Sequence, residues 1–235
     1  MDKQKLLLLP GLDGTGRLFE PLINALQNKT QLEIEIVRYS VDETKTYEEL
    51  IDLVGQIVQR YQSVYIVAES FSGPIALKLL EKYPARIKGV ILVATFITPP
   101  QKLLLKFANS LPIEKLLKFN IPDFLIRKFC LGSSASSEQI RQFKKTIKLV
   151  SPKVIAHRLK ELLTLEKNDY NKNYPCKIIY IKASDDKLVS AERTDELVSI
   201  IPVDMKEVNG SHFLLQVKPE ECAEIILDNT RFSSI

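Results

Sequence analysis

Hydrophobic residues along this chain gather into short runs separated by amphipathic stretches. Apolar runs occur at Lys5–Leu9, Leu32–Tyr39, Ser63–Ala68, Gly89–Phe96, Lys177–Ala183 and Val203–Val208. Their length and their Val, Ile and Leu content predict strands buried on both faces of a parallel sheet. Helical spacing lies between most of them, at Leu18–Leu26, Tyr47–Tyr61, Phe71–Tyr83, Ala191–Ile200 and Pro219–Asp228. In the second helix Leu50, Val54, Ile57 and Val58 share a stripe; in the third, Ile75, Ala76, Leu79 and Leu80 do. Strand–helix alternation predicts an α/β fold: a mostly parallel sheet, helices on both faces, right-handed crossovers.

The alternation breaks once. Between Phe96 and Lys177 no strand pattern occurs, only helical stretches at Gln101–Ala108, Ile113–Lys118, Phe124–Phe129, Ser137–Val150 and Pro152–Glu166. Pro99, Pro100, Pro112, Pro122 and Pro152 punctuate them. An insertion of about 75 residues is too long for a crossover. It predicts a helical cap over residues 98–170, with 1–97 and 171–235 forming the core. The tail Arg231–Ile235 is expected to fray.

Composition narrows the class. A chain of 235 residues, 45% hydrophobic and 26% charged, suits one α/β domain with a sizeable core. No apolar stretch reaches transmembrane length, and Met1–Pro10 is too short in its apolar part for a secretory leader. Cys130, Cys176 and Cys222 are odd in number and lack metal-ligand spacing, which fits buried thiols in a reducing compartment. The expectation is a cytoplasmic protein with no metal or organic cofactor and no nucleic-acid partner. The net charge of +4 is uneven, because residues 98–170 hold 14 Lys and Arg against 6 Asp and Glu. A solvated face is the plain account of that basic cap; the alternative is peripheral contact with an anionic membrane surface or an acidic head group.

The candidate chemistry begins at Ser70, in Tyr65-Ile66-Val67-Ala68-Glu69-Ser70-Phe71-Ser72-Gly73-Pro74. A lone Ser between a buried strand and a helix, with small residues two places either side, is the nucleophile-elbow pattern. The turn is sharp, so bulky neighbours would collide across strand and helix. The usual form is Gly-x-Ser-x-Gly; here Ala68 and Ser72 replace the glycines, and Gly73 comes one place late. The plainer reading makes Ser70 an N-cap. Ser72 is the weaker nucleophile candidate, since Pro74 stands at its own +2 place.

A hydrolytic Ser needs a base, an orienting carboxylate and an oxyanion hole. Of two histidines, His157 lies in the cap at a helical position, where packing or solvent explains it, and His212 lies just past the last strand. Loops at the C-terminal ends of parallel strands gather functional groups. Asp185 and Asp186 follow another strand, and Asp186 is favoured by its place before the apolar pair Leu188-Val189. The loop Leu9-Pro10-Gly11-Leu12-Asp13-Gly14-Thr15-Gly16 follows the first strand. It matches neither nucleotide-binding spacing; its Leu12 N–H and the Phe71 N–H of the elbow are the candidate oxyanion donors.

These residues resemble the α/β-hydrolase superfamily over nearly the whole chain. The resemblance rests on the Gly-rich loop, the Ala-Glu-Ser-Phe-Ser-Gly elbow, Ala-Ser-Asp-Asp-Lys-Leu-Val, and Gly-Ser-His-Phe followed by Lys218-Pro219-Glu220. The Gly-rich loop and the Glu-Ser-Phe core are also similar to phytyl ester synthase and diacylglycerol acyltransferase-like proteins. The resemblance implies a six-stranded sheet in the order 2-1-3-4-5-6, lacking the superfamily's first two antiparallel strands. It implies Ser70, Asp186 and His212 as the catalytic set, with Gly11, Asp13 and Phe213 at the substrate. The expected substrate is a carboxylic ester or thioester with an apolar acyl group, and side chains between Leu103 and Phe129 are candidates for an acyl tunnel or for simple helix packing. An acyltransferase with the same triad and a non-catalytic ligand-binding module on the same fold are the alternatives.

Overall fold

The computed structural model describes residues 5–27, 29–30, 32–101, 121–167, 170 and 173–230. Most of the helices expected at Gln101–Ala108 and Ile113–Lys118, the apolar cap side chains from Leu103 to Phe119 and the tail Arg231–Ile235 lie outside the described residues.

Six strands form one sheet: β1 (Lys5–Leu9), β2 (Glu33–Ile36), β3 (Val64–Glu69), β4 (Ile87–Val93), β5 (Lys177–Ala183) and β6 (Asp204–Val208). Their spatial order is β2-β1-β3-β4-β5-β6, and every neighbouring pair is parallel. The two-residue period of a strand divides each apolar run between two cores. Leu7, Leu9, Ile66, Ala68, Val90, Leu92, Ile178 and Tyr180 face one side. Leu6, Leu8, Val67, Ile91, Val93, Ile179 and Ile181 face the other. This explains why β1 reads as an unbroken leucine run: neither face meets water.

Helices α2 (Tyr47–Gln59) and α3 (Gly73–Lys82) cover the first side. The second side is covered by α1 (Glu20–Leu26). Helix α2 starts where its sequence says it should. Thr46 and Glu49 form a reciprocal capping box that satisfies two orphan N–H groups. The outer strands β2 and β6 are short, and their residues are mostly half-buried or exposed.

The cap contributes α4 (Asp123–Ile126), which continues as a π-turn over Arg127–Leu131, then α5 (Ser137–Ile147) and α6 (Pro152–Glu161). Helix α6 is tied to the core at both ends. The Ser151 N–H donates to the Val41 carbonyl (2.8 Å), and the Tyr47 N–H donates to Glu161 Oε2 (2.8 Å). Beyond β5 come α7 (Ala191–Ile200), the short α8 (Leu214–Val217), and α9 (Pro219–Thr230), which joins α1 on the second side.

Element ends differ from the sequence expectation where tertiary geometry intervenes. Strand β4 stops at Val93 rather than Phe96, because Ala94 turns the chain with φ 46°. The edge strand β2 covers four residues of the eight expected. Helix α8 carries no helical signal of its own.

Candidate active site

The C-terminal ends of β3, β5 and β6 point to the same rim of the sheet. At the end of β3 the backbone reverses through Ser70, whose φ of 47° lies in the left-handed region that costs an L-residue roughly 1–2 kcal/mol. The surroundings hold that strained turn. Thr95 Oγ1 donates to the Ser70 carbonyl (2.5 Å). The Tyr47 hydroxyl donates to the Phe71 carbonyl (3.2 Å), and the Tyr47 and Phe71 rings stack at 4.7 Å.

The two departures from the elbow pattern find their explanation here. Ala68 is fully buried inside the first core. Ser72 is equally buried; its Oγ donates to the Pro10 carbonyl and pairs with the Tyr39 hydroxyl at 2.7 Å. The tight place is Gly73: a Cβ there would lie 2.0 Å from Thr95 Oγ1 and 2.7 Å from Thr95 Cβ. The glycine that comes one residue late is the one this elbow requires.

The three sequence-selected side chains meet. His212 Nε2 lies 2.9 Å from Ser70 Oγ, and His212 Nδ1 lies 2.8 Å from Asp186 Oδ2. The other Asp186 oxygen accepts from the N–H groups of Leu188 and Val189, each at 2.8 Å. This fixes the carboxylate independently of the imidazole. Asp185 turns outward to Lys187 (2.5 Å). The acid and histidine loops are laced together beyond the sheet: Ser184 N–H to the Val208 carbonyl (3.1 Å), and Asp185 N–H to the Gly210 carbonyl (3.0 Å). His212 is 2% exposed, so its partners are shielded from competing water. His157 stays in the cap, 3.7 Å from Glu161.

The loop after β1 is braced from within and from the cap. The Gly14 N–H donates to the Gly11 carbonyl (3.1 Å). Because a trans peptide sets N–H opposite C=O, this bond aims the Leu12 N–H away from the turn. The Thr95 bond to the Ser70 carbonyl fixes the Phe71 N–H in the same way. Asp13 accepts from the Thr15 N–H and hydroxyl (2.9 and 2.5 Å). Arg158, 3% exposed on α6, donates to the carbonyls of Leu12, Asp13 and Ser40, each at 2.8 Å. Burial pushes the Asp13 carboxyl up, against its bonds from Thr15 and the charge of Arg158. Burial likewise lowers the Arg158 guanidinium.

Ser70, His212, Gly11, Leu12, Asp13, Phe71 and Phe213 all line one cavity of about 470 Å³, within the range of small-molecule sites. Asp13 contributes to the wall while its carboxylate stays bonded to Thr15 and in the field of the Arg158 charge. The cap supplies Phe129, Phe143, Ile147, Leu159 and Leu162, and the wall is predominantly apolar. Phe213 packs edge-on between His212 and Phe143, each pair 5.2 Å apart. Cys130 also lines the cavity; burial, with Asp186 nearby, pushes its thiol up to about 12, which leaves it un-ionised. Among the described residues no group of three or more His, Cys, Asp or Glu is placed to hold a metal ion.

Several supporting residues carry no sequence signal. Thr95, Arg158, Tyr39 and Gln216 belong to no motif and reach the site only through contacts distant in sequence. Glu69 sits inside the elbow motif, yet the motif says nothing of its burial.

The family model described as serine aminopeptidase, S33, matches residues 37–211. The chain belongs to that α/β-hydrolase family. The match includes Ser70 and Asp186 and stops one residue short of His212. Solved structures align along almost the whole hydrolase chain at low identity. A hydrolase from Oleispira antarctica gives a TM-score of 0.79 at 15% identity, covering 98% of this chain and 92% of that one. An esterase from Exiguobacterium antarcticum gives 0.77 at 14%, covering 97% and 92%. An enol-lactonase from Burkholderia xenovorans LB400 gives 0.76 at 14%, covering 97% and 91%. At such identities the likeness is one of fold. No curated protein sequence matches the chain.

Proposed function

We propose that this hydrolase cleaves carboxylic esters or thioesters with an apolar acyl group, through an acyl-serine intermediate. His212 Nε2 takes the Ser70 proton as Oγ attacks the substrate carbonyl. Asp186 holds the imidazole through Nδ1 and stabilises the imidazolium that forms. The Leu12 and Phe71 N–H groups receive the tetrahedral oxyanion. His212 then returns the proton to the leaving alcohol or thiol. In the second half His212 deprotonates water, which attacks the acyl-serine; collapse frees the carboxylic acid and restores Ser70.

The observation that carries this reading is the Ser70–His212–Asp186 relay, at 2.9 and 2.8 Å, opening into an apolar cavity. The family description names a peptidase, and an aminopeptidase needs an anionic anchor for the substrate ammonium. The cap side of the cavity offers no carboxylate among the described residues; on the core side Asp13 is already engaged by Thr15, and burial pushes the Glu69 carboxyl up to about 7, toward its neutral form. The esterase and the lactonase among the structural neighbours act on esters by their names, which agrees with the apolar wall.

A fluorophosphonate probe should label the wild type at Ser70 and leave Ser70→Ala unlabelled. A 4-nitrophenyl ester panel should show kcat/KM rising with acyl length until the cavity is filled. Full esterase activity in Ser70→Ala would end the proposal.

A further inference from the structure

The residue before the nucleophile, Glu69, is 2% exposed at the end of β3. Its Oε1 has no hydrogen-bond partner. Its Oε2 lies 3.5 Å from the position a Cβ on Gly11 would take, against the oxyanion loop. The Gly11 backbone and the Gln216 side chain pull the carboxyl's pKa down, less than burial raises it. Gln216 spends its Nε2 on the Leu18 carbonyl (3.2 Å), while its Oε1 is also buried without a partner. Both Oε1 atoms are buried acceptors without a partner, and such an unmatched polar atom costs about 1–3 kcal/mol; Glu69 also lines the cavity that holds Ser70 and His212. A proton on Glu69 turns one of those acceptors into a donor.

We propose that Glu69 is a positioning residue whose carboxyl holds a proton beside the triad, and whose charge, once that proton leaves, acts on His212. The proposal rests on the acyl-serine reading above. Four groups face Glu69 from the elements around it: Asp13 on the oxyanion loop, His212 after β6, Gln216 on α8 and Cys222 on α9. Arg158 and Thr15 compensate Asp13, so of the two buried carboxyls Glu69 is the one left without a cation while His212 is neutral. Like charges in one dry space do not both ionise readily, and the proton settles on the uncompensated group. Burial first, then the Asp13 charge, pushes the Glu69 carboxyl up to about 7.

The consequence is a coupled pair. Near neutral pH Glu69 gives up its proton, and its charge then bears on the imidazole that takes the Ser70 proton. Wild-type kcat/KM should then rise with pH in a broad or two-step acid limb. Above that limb, ionised Glu69 stabilises the imidazolium formed as Ser70 attacks.

Glu69→Gln keeps the shape of the side chain and removes the titration. Its acid limb should lack the component near pH 7, and its plateau rate should fall several-fold. Independently of turnover, the wild-type infrared difference spectrum should show a protonated carboxyl band titrating near pH 7, absent from Glu69→Gln. Superimposable pH profiles, or an infrared band unaffected by the substitution, would overturn the proposal while leaving the triad intact. Activity surviving in Ser70→Ala would instead overturn the reading beneath it.

Discussion

Replacing Gly73 with Ala tests whether the displaced glycine of the elbow is the one that matters. The added Cβ would meet Thr95 Oγ1 at 2.0 Å, Cγ2 at 2.6 Å and Cβ at 2.7 Å. Thr95 is fully buried and β-branched, so rotating χ1 merely exchanges one close atom for another. Relief requires Thr95 to move, which breaks its bond to the Ser70 carbonyl. Overpacking of this kind costs roughly 1–3 kcal/mol, and the lost hydrogen bond about 1 kcal/mol. The better helix propensity of Ala returns somewhat under about 1 kcal/mol. The net is about 2 kcal/mol, or a fall in Tm of about 6 °C for a chain of this size. The Ser70–Phe71 peptide plane also loses its anchor. The Phe71 N–H should drift from the oxyanion, and kcat should fall at least about tenfold, short of the roughly 10²–10³ seen when a donor is removed outright. KM should change little. Circular-dichroism melting and steady-state ester hydrolysis read both effects. Thr95→Ala in the same chain removes the two nearest clashing atoms, so the pair should couple by about 1 kcal/mol or more. A Gly73→Ala protein that melts with the wild type and keeps its kcat would refute the reasoning, as would strict additivity in the cycle.

Arg158→Met should leave the carbonyls of Leu12, Asp13 and Ser40 without their buried donor and Asp13 without its cation, destabilising the chain by about 3–5 kcal/mol. Chemical denaturation measures this, and an unchanged midpoint would count against the clamp. Ser72→Ala should remain labelled by a fluorophosphonate and lose about 1–2 kcal/mol of stability, since its hydroxyl serves Tyr39 and Pro10 rather than substrate. Loss of labelling would reopen Ser72 as the nucleophile. Glu69 binds its proton more tightly folded than unfolded, so stability should fall as pH rises from about 4.5 to about 7 and then level off, by about 3 kcal/mol in all. Melting of Glu69→Gln across that window should lack this decline; a parallel decline in both proteins would contradict it.

The apolar runs predicted all six strands because parallel strands bury both faces, leaving little room for polar residues. The strand order came from the resemblance, and the observed sheet agrees with it. Ser70, Asp186 and His212 were legible for a local reason: each lies one to four residues past a strand end, where the sheet aligns them. The choice of Asp186 over Asp185 was legible as well, since the N–H groups of the apolar pair Leu188-Val189 hold its carboxylate. The supporting shell was not. Arg158 meets Leu12 and Thr95 meets Gly73 through tertiary contacts that no short pattern encodes. Ala94 ends β4 at a positive φ that Ala seldom adopts, so no turn residue announced it. Ser72 occupied a motif position with a side chain whose buried partners, Tyr39 and Pro10, lie far away in sequence.

Among the described residues the parallel sheet ends in two outer rows of backbone groups, and β2 and β6 supply them. Glu33 and Glu35 on β2 pair with Lys5 and Arg60; Asp204 and Glu207 on β6 pair with Lys177 and Lys182. A stray β-segment docking at either margin would have to settle against these ion pairs, a poor template for edge-to-edge aggregation. The molecule thus keeps its most apolar strands in the middle and closes both flanks with charge, so that a concentrated solution of it has little incentive to grow fibrils from the sheet.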